Sequence, residues 1–439
     1  MTIPPATLPF STHIREDKLA AGSQVKGREM CCGFGDNDKP EFLGSMPNTA
    51  PLEADVPLGH SIQLPIELWE KVIDVLADEW GDDHWSYETY EARLHVLGRV
   101  CRGWHARCRF RACEKLDADR MDKKEVYRLI DALKQDPERC RAIRTVSFDF
   151  GRMSVGLFGT FAVCMAHKLP QTERLTFWQC EWEPRQLHVQ VFVHITLAFE
   201  SVTVLELDHV RFPSAVVFGR LVRALPRLSS LKCWNVSFDM HGDVAGRIWE
   251  LHPLCLDSAE LWNSNDVVDF LVLVGAQLRD LIWHDEGLEK CQKLLSVTAE
   301  SLSSMHIDLA DYVFFEGLFP SDFPTDFTSA VNLSVFSISS DFEDLDGAAK
   351  ILCRAFLPKL IEVTIISTFD YTRTLAFSNS YALLDRAFSS RQYPALKKVT
   401  FKLDWETRRS RVMEVISEES WGSHFASNLP ALHMSGRLV

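Results

Sequence analysis

Leu360-Ile-Glu-Val-Thr-Ile365 and Leu396-Lys-Lys-Val-Thr-Phe401 share one pattern: an apolar residue, two variable residues, an apolar residue, one variable residue and a third apolar residue. Side chains alternate across a strand, so the last two apolar positions point to the same face. Working outward, the pattern recurs at Ile143-Arg-Thr-Val-Ser-Phe148, Val202-Thr-Val-Leu-Glu-Leu207, Leu228-Ser-Ser-Leu-Lys-Cys233, Leu278-Arg-Asp-Leu-Ile-Trp283, Leu302-Ser-Ser-Met-His-Ile307 and Leu333-Ser-Val-Phe-Ser-Ile338. Looser copies start at Thr172 and Leu256.

The copies lie on average about 28 residues apart, within the roughly 20–29-residue range of leucine-rich repeats. Between them the apolar period becomes helical. Phe218, Leu221, Val222 and Leu225 stop at Pro226, and Ala348, Ile351, Leu352 and Ala355 stop near Pro358. A strand-plus-helix unit cannot bury its apolar side alone, so neighbouring units must stack. The fold class is α/β: an irregular leucine-rich-repeat solenoid over residues 143–439, with a parallel sheet on its inner side. The asparagine common after the apolar core of such repeats is mostly missing.

The 439 residues carry 47 Lys+Arg against 61 Asp+Glu, a formal charge of −14. That balance argues against a general nucleic-acid or anionic-membrane binder, both of which need a basic surface. The cysteines are too dilute for a disulfide framework, the start lacks the order of a secretory signal, and no apolar run reaches the ~20 residues a bilayer span needs. A soluble protein of the cytosol or nucleus is expected. Seven prolines crowd the first sixty residues, and residues 1–60 read as a disordered tail.

At 61–117 the sequence changes character. Pro65 suits a first helical position, and Leu68, Val72 and Leu76, with Trp69 and Ile73 beside them, form one broad apolar stripe. After an acidic, aromatic interruption at Trp80–Glu91, Leu94, Leu97, Val100, Cys101, Trp104 and Cys108 form a second, so two helices are expected. Arg99, Arg102, Arg107, Arg109 and Arg111 then fall on a solvated surface. Residues 118–142, with Val126, Leu129, Ile130 and Leu133 before Pro137, read as a linker helix.

The segment Leu64-Pro-Ile-Glu-Leu68 through Val72-Ile-Asp-Val-Leu76, followed by Leu97-Gly-Arg-Val-Cys-Arg-Gly-Trp104, resembles an F-box. With the join at Leu129–Phe148, the chain is similar to fungal, basidiomycete-type F-box proteins. The resemblance implies docking on a Skp-type adaptor and, through it, a cullin–RING ubiquitin ligase. The repeats would then recruit an unknown protein substrate. The adaptor contacts it implies are Leu64, Pro65, Ile66, Leu68, Val72, Val100, Cys101 and Trp104, about half of them also holding the module together. A plain interaction scaffold, its helices only capping the solenoid, is the alternative.

If the repeat apolars point inward, the residues between them line the concave face. Trp178, Trp234 and Trp262 share one phase there with Asp208, His284 and Asp308, and tryptophan is frequent at binding hot spots. A one-residue error in register would turn the tryptophans into core. No P-loop, nucleophile elbow or His-Glu-x-x-His helix is present, so neither catalysis nor a cofactor is expected. Cys101, His105, Cys108 and Cys113 lack paired zinc spacings and read as packing residues, and no metal is expected.

Overall fold

The computed structural model describes residues 65–82, 90–119, 121–150, 155–183, 188–240, 253–284, 288–309, 327–341, 345–368, 380–404 and 418–439. The expected tail at 1–60 and Leu64 lie outside them. Three helices come first: α1 Ile66–Asp82, α2 Tyr90–Gly98 and α3 Arg102–Glu114. Next are β1 Lys115–Asp119, α4 Lys123–Gln135, α5 Pro137–Ala142 and β2 Thr145–Asp149. The strands that follow are β3 Arg174–Trp178, β4 Val204–Asp208, β5 Arg211–Ser214, β6 Ser230–Trp234, β7 Ser237–Met240, β8 Cys255–Trp262, β9 Gln277–Trp283, β10 Ser304–Asp308, β11 Val335–Asp341, β12 Glu362–Thr368 and β13 Lys398–Asp404.

Among the described residues, all of these except β5 and β7 form one parallel sheet of 11 strands in chain order, each joined to the next in register. This is the strand-by-strand order of a solenoid. Val146, Leu175, Leu205, Leu231, Ala259, Leu281, Met305, Phe336, Val363 and Val399 form one buried row across it. The third apolar positions, Phe148 through Ile365, form another. Helices cover these rows. Phe158 and Phe161, on the helix Gly156–Met165, meet Phe148 edge-on with ring centroids 5.2 and 5.3 Å away. Phe218, Leu221 and Val222 enter the same core from the helix Ala215–Arg223.

The loose copy at Thr172 works because its buried hydroxyl donates to the Ile143 carbonyl at 3.4 Å, so a polar residue takes an apolar place with its hydrogen bond made. At the far edge, Val399 and Leu438 bridge in parallel, so the chain end covers part of the last strand.

Two sequence expectations change. The sheet starts one strand earlier: Leu116 and Ala118 of β1 pair with Val146 and Phe148 and extend both buried rows. The expected linker at 118–142 is therefore the helical crossover of a first repeat, with α4 held by a reciprocal capping box between Asp122 and Glu125. The described residues of 61–117, in turn, hold three helices and the start of a strand. The helical pattern breaks at Arg99–Val100, and Cys101, in extended backbone, accepts the Trp104 N–H on its Sγ at 3.5 Å. The supposed interruption is shorter than expected, since α1 runs through Asp82 and α2 starts at Tyr90.

The asparagines also have a place. Gln179, His209, Asn235 and Asn263, each the residue after β3, β4, β6 and β8, adopt φ of 47°, 52°, 54° and 45°. This left-handed step turns the chain off the sheet while the N–H of Asn235 donates to the Trp262 carbonyl at 2.9 Å. Asn263 Nδ2 donates to Asn235 Oδ1 at 2.8 Å, a short side-chain ladder. Asparagine tolerates this conformation and β-branched residues resist it. Asn235→Val is expected to lower the urea-derived stability by about 2 kcal/mol, and Asn235→Gly, which suits the φ but loses the ladder, by about 1 kcal/mol or less.

Candidate functional site

Two faces concern function. The first belongs to the helical module, which has its own small core of Ile73, Ala77, Leu94 and Cys108, with Trp80, Tyr90, Leu97 and Trp104 packed around it. At about 100° per residue, Trp69, Ile73, Ala77 and Trp80 lie along one side of α1, and Trp69 meets Trp104 at 5.0 Å. Leu68, Val72 and Val75 lie along another side and are exposed. The single broad stripe read from sequence is thus two stripes. Arg107 Nε donates to Asp74 at 2.8 Å, and Arg111 pairs with Asp78 and, at 2.6 Å, with Glu114. These two arginines tie α3 to α1 instead of standing in solvent, a correction to the solvated reading.

Of the residues the F-box resemblance singled out, Leu64 lies outside the described residues. Pro65, Ile66 (50% exposed), Leu68, Val72, Val100 (63% exposed) and Cys101 are exposed, and Trp104 is half-buried. Trp104 packs on the core and Cys101 caps α3, while the core proper uses Ile73, Ala77, Leu94 and Cys108. Ile66 sits over Gly103, where a Cβ would meet its Cδ1 at 3.0 Å, so the first turn of α1 lies close on the start of α3. Sequence reading missed the exposed Val75 and Val96, although Val75 stands three residues beyond Val72.

The second face is the side of the sheet opposite the helices. Trp178, Asp208, Trp234 and Trp262 occupy one register row, one residue per strand. His284, just past β9, continues it and joins Asp308 through Nδ1–Oδ2 at 3.1 Å. The tryptophans are not core: Trp178 and Trp234 are half-buried and Trp262 is 40% exposed. Two residues earlier along each strand runs a second row: Thr176, Glu206, Lys232, Glu260, Ile282 and His306.

This second row is an ion-pair chain. Glu206, 2% exposed, accepts from Arg174 Nη1 at 2.8 Å and from the Thr176 hydroxyl at 3.1 Å. Lys232 lies 3.7 Å from Glu206 and 3.3 Å from Glu260, with its Nζ over the Trp234 ring at 5.7 Å. Glu260 is 3.8 Å from His284, whose ring stacks on Trp262 with centroids 5.9 Å apart. His306, its Nε2 3.3 Å from the Ser339 hydroxyl, is held below the usual imidazole range chiefly by burial and further by His284, against the pull of Asp308 and Glu260.

Between the module and the open sheet face lies a cavity of about 400 Å³. Ala77, Asp78, Tyr90 and Arg111 bound it on the module side, and Ser147, Arg174, Thr176, Trp178 and Glu206 on the sheet side. Its charges are paired: Arg144 meets Glu114 at 3.3 Å and Glu173 at 3.5 Å. Burial pushes the Tyr90 phenol up to about 12, so it stays protonated and donates to the Arg111 carbonyl at 3.4 Å. Among the described residues no group of three or more His, Cys, Asp or Glu is placed to hold a metal ion, and no helix is long and apolar enough to cross a membrane.

No family model matches the chain, and no curated protein matches it. Among solved structures, the leucine-rich repeat-containing protein LegL7 from Legionella pneumophila is similar at 12% identity, covering 72% of this chain and 97% of that one with a TM-score of 0.39. A likeness at that level carries no functional argument, and the solenoid stands on its own strand order.

A histidine kept neutral by burial in the folded state but free to protonate near pH 6.5 when unfolded makes the unfolded chain the better proton acceptor as pH falls. The contribution of His306 to stability is therefore intact above about pH 6.5 and is lost below it. The urea midpoint of the wild type is expected to drop more between pH 7.5 and 5.5 than that of His306→Gln.

Proposed function

We propose that the chain is the substrate-recognition subunit of a cullin–RING ubiquitin ligase of the Skp-adaptor type. The α1–α3 module docks on the adaptor, and the open sheet face recruits a protein. The observation that carries this reading is the exposed apolar surface of the module: Ile66, Leu68, Val72 and Val100 stand in solvent although the module already has a core and the solenoid has a separate one. Covering half-exposed side chains of this kind brings roughly half of the ~1.5–3 kcal/mol of full burial apiece, and a solvated apolar surface of several such residues marks a partner site. The F-box resemblance of Leu64–Leu68 and Val100–Trp104 supports the identity of that partner.

A second reading, an interaction scaffold without the ligase, keeps the sheet face but leaves the module surface without a purpose. Adaptor binding separates the two. Purified full-length chain is expected to bind a Skp-type adaptor. The double variant Leu68→Asp, Val72→Asp is expected to lose at least 100-fold in affinity with unchanged circular dichroism and thermal midpoint, because both side chains lie on the exposed side of α1. A folded wild type that ignores the adaptor removes the ligase reading.

A further inference from the structure

The open sheet face already holds Arg174 on Glu206 and Lys232 between two carboxylates, and the Lys232 site shows what it selects. The Lys232 ammonium sits between the Glu206 and Glu260 carboxylates, 3.7 and 3.3 Å away, and over the indole of Trp234. Carboxylates offset the desolvation cost of the charge, and the indole face adds a cation–π contact. The next indole, Trp262, repeats the arrangement with an imidazole: His284 stacks on it at 5.9 Å and lies 3.8 Å from Glu260 and 3.1 Å from Asp308, leaving Trp262 40% exposed. Asp208, joined to His209 Nδ1 at 2.7 Å through Oδ1, adds a carboxylate on the other side of Trp234. Across β3 to β10, Glu206, Asp208, Glu260 and Asp308 outnumber Arg174 and Lys232 on this face, and Lys398 and Lys402 stand at the far β13 end.

From Trp178 to Asp308 the row crosses five inter-strand steps, about 24 Å at ~4.8 Å each. That is the length of about seven extended residues at ~3.4 Å apiece, whose alternate side chains would face the sheet ~6.8 Å apart. We infer that the row from Trp178 to Asp308 binds an extended peptide segment bearing lysine or arginine at alternate positions, the carboxylates taking the charges and Trp262 the side-chain stems. The inference rests on the reading that this face recruits a protein, and it specifies the chemistry of what is recruited. A nucleic acid or an acidic segment would meet like charge at Asp208 and Asp308 of the row and at Glu206 and Glu260 beside it.

The test uses fluorescence anisotropy of full-length chain with a labelled heptapeptide alternating arginine with serine, against one alternating glutamate with serine. The arginine peptide is expected to bind at least tenfold more tightly than the glutamate peptide and to weaken as salt is raised. Asp208→Asn with Asp308→Asn, and separately Trp262→Ala, are expected to cost at least tenfold, whereas Asp131→Asn on α4 leaves binding unchanged. Equal binding of both peptides, or arginine-peptide binding that survives the double variant and Trp262→Ala, overturns the inference. The comparison of the two peptides on wild type holds even if a variant misfolds. Absence of peptide binding by a chain that still binds the adaptor removes this inference alone, while absence of adaptor binding with peptide binding intact removes the ligase reading alone.

Discussion

In-register parallel pairing is the constraint from which the rest of the structure follows. Each strand brings an apolar row position, such as Val146, Leu175 or Leu205, that is covered only when the next strand sets its own beside it. A slip of one residue anywhere would send that row to solvent and put Trp178, Trp234 or Trp262 into the core. The repeats tolerate poor sequence copies because the register is enforced on both sides. Thr172 can stand in a first apolar position, and Asn235 can take a left-handed turn, because the neighbouring strands supply the hydrogen bonds each needs.

The same alternation that builds the core creates the open face. Every residue between two buried ones is delivered to the open side at fixed spacing, so side chains from strands about 28 residues apart in sequence stand in line. Charge can then be ordered along the line, as it is from Arg174 through Glu206, Lys232 and Glu260 to His284. The helical module is joined differently. Its core does not merge with that of the solenoid, its helices are tied by Arg107 and Arg111 to acids of α1, and it is continuous with the sheet through α3 and β1. A partner on its outer side therefore need not disturb the sheet.

The strands and their register were legible because three apolar positions recur with a two-residue alternation, and that alternation also placed the tryptophan row. The first strand was not legible, since Ala118 carries too little apolar weight to mark a row position beside Leu116. Nor was the break before Cys101: Leu97 and Val100 keep helical spacing, and only Gly98 hints that the helix ends. On α1 the apolar residues cover two sides, so periodicity could not say whether Leu68 and Val72 or Ile73 and Ala77 face the core; packing against Cys108 and Leu94 decides it. The pairing of Arg107 and Arg111 with Asp74 and Asp78 spans 33 residues and lies beyond any local pattern.

The central claim is that one chain carries two independent faces, one on the module and one on the sheet. The most direct measurement captures the full-length chain on an immobilised Skp-type adaptor and then titrates the alternating arginine–serine heptapeptide onto the captured chain. The account predicts that the peptide binds with the affinity it shows for the free chain and that the adaptor releases none of it. Displacement of the chain by the peptide, or a captured chain that no longer takes the peptide, would contradict it.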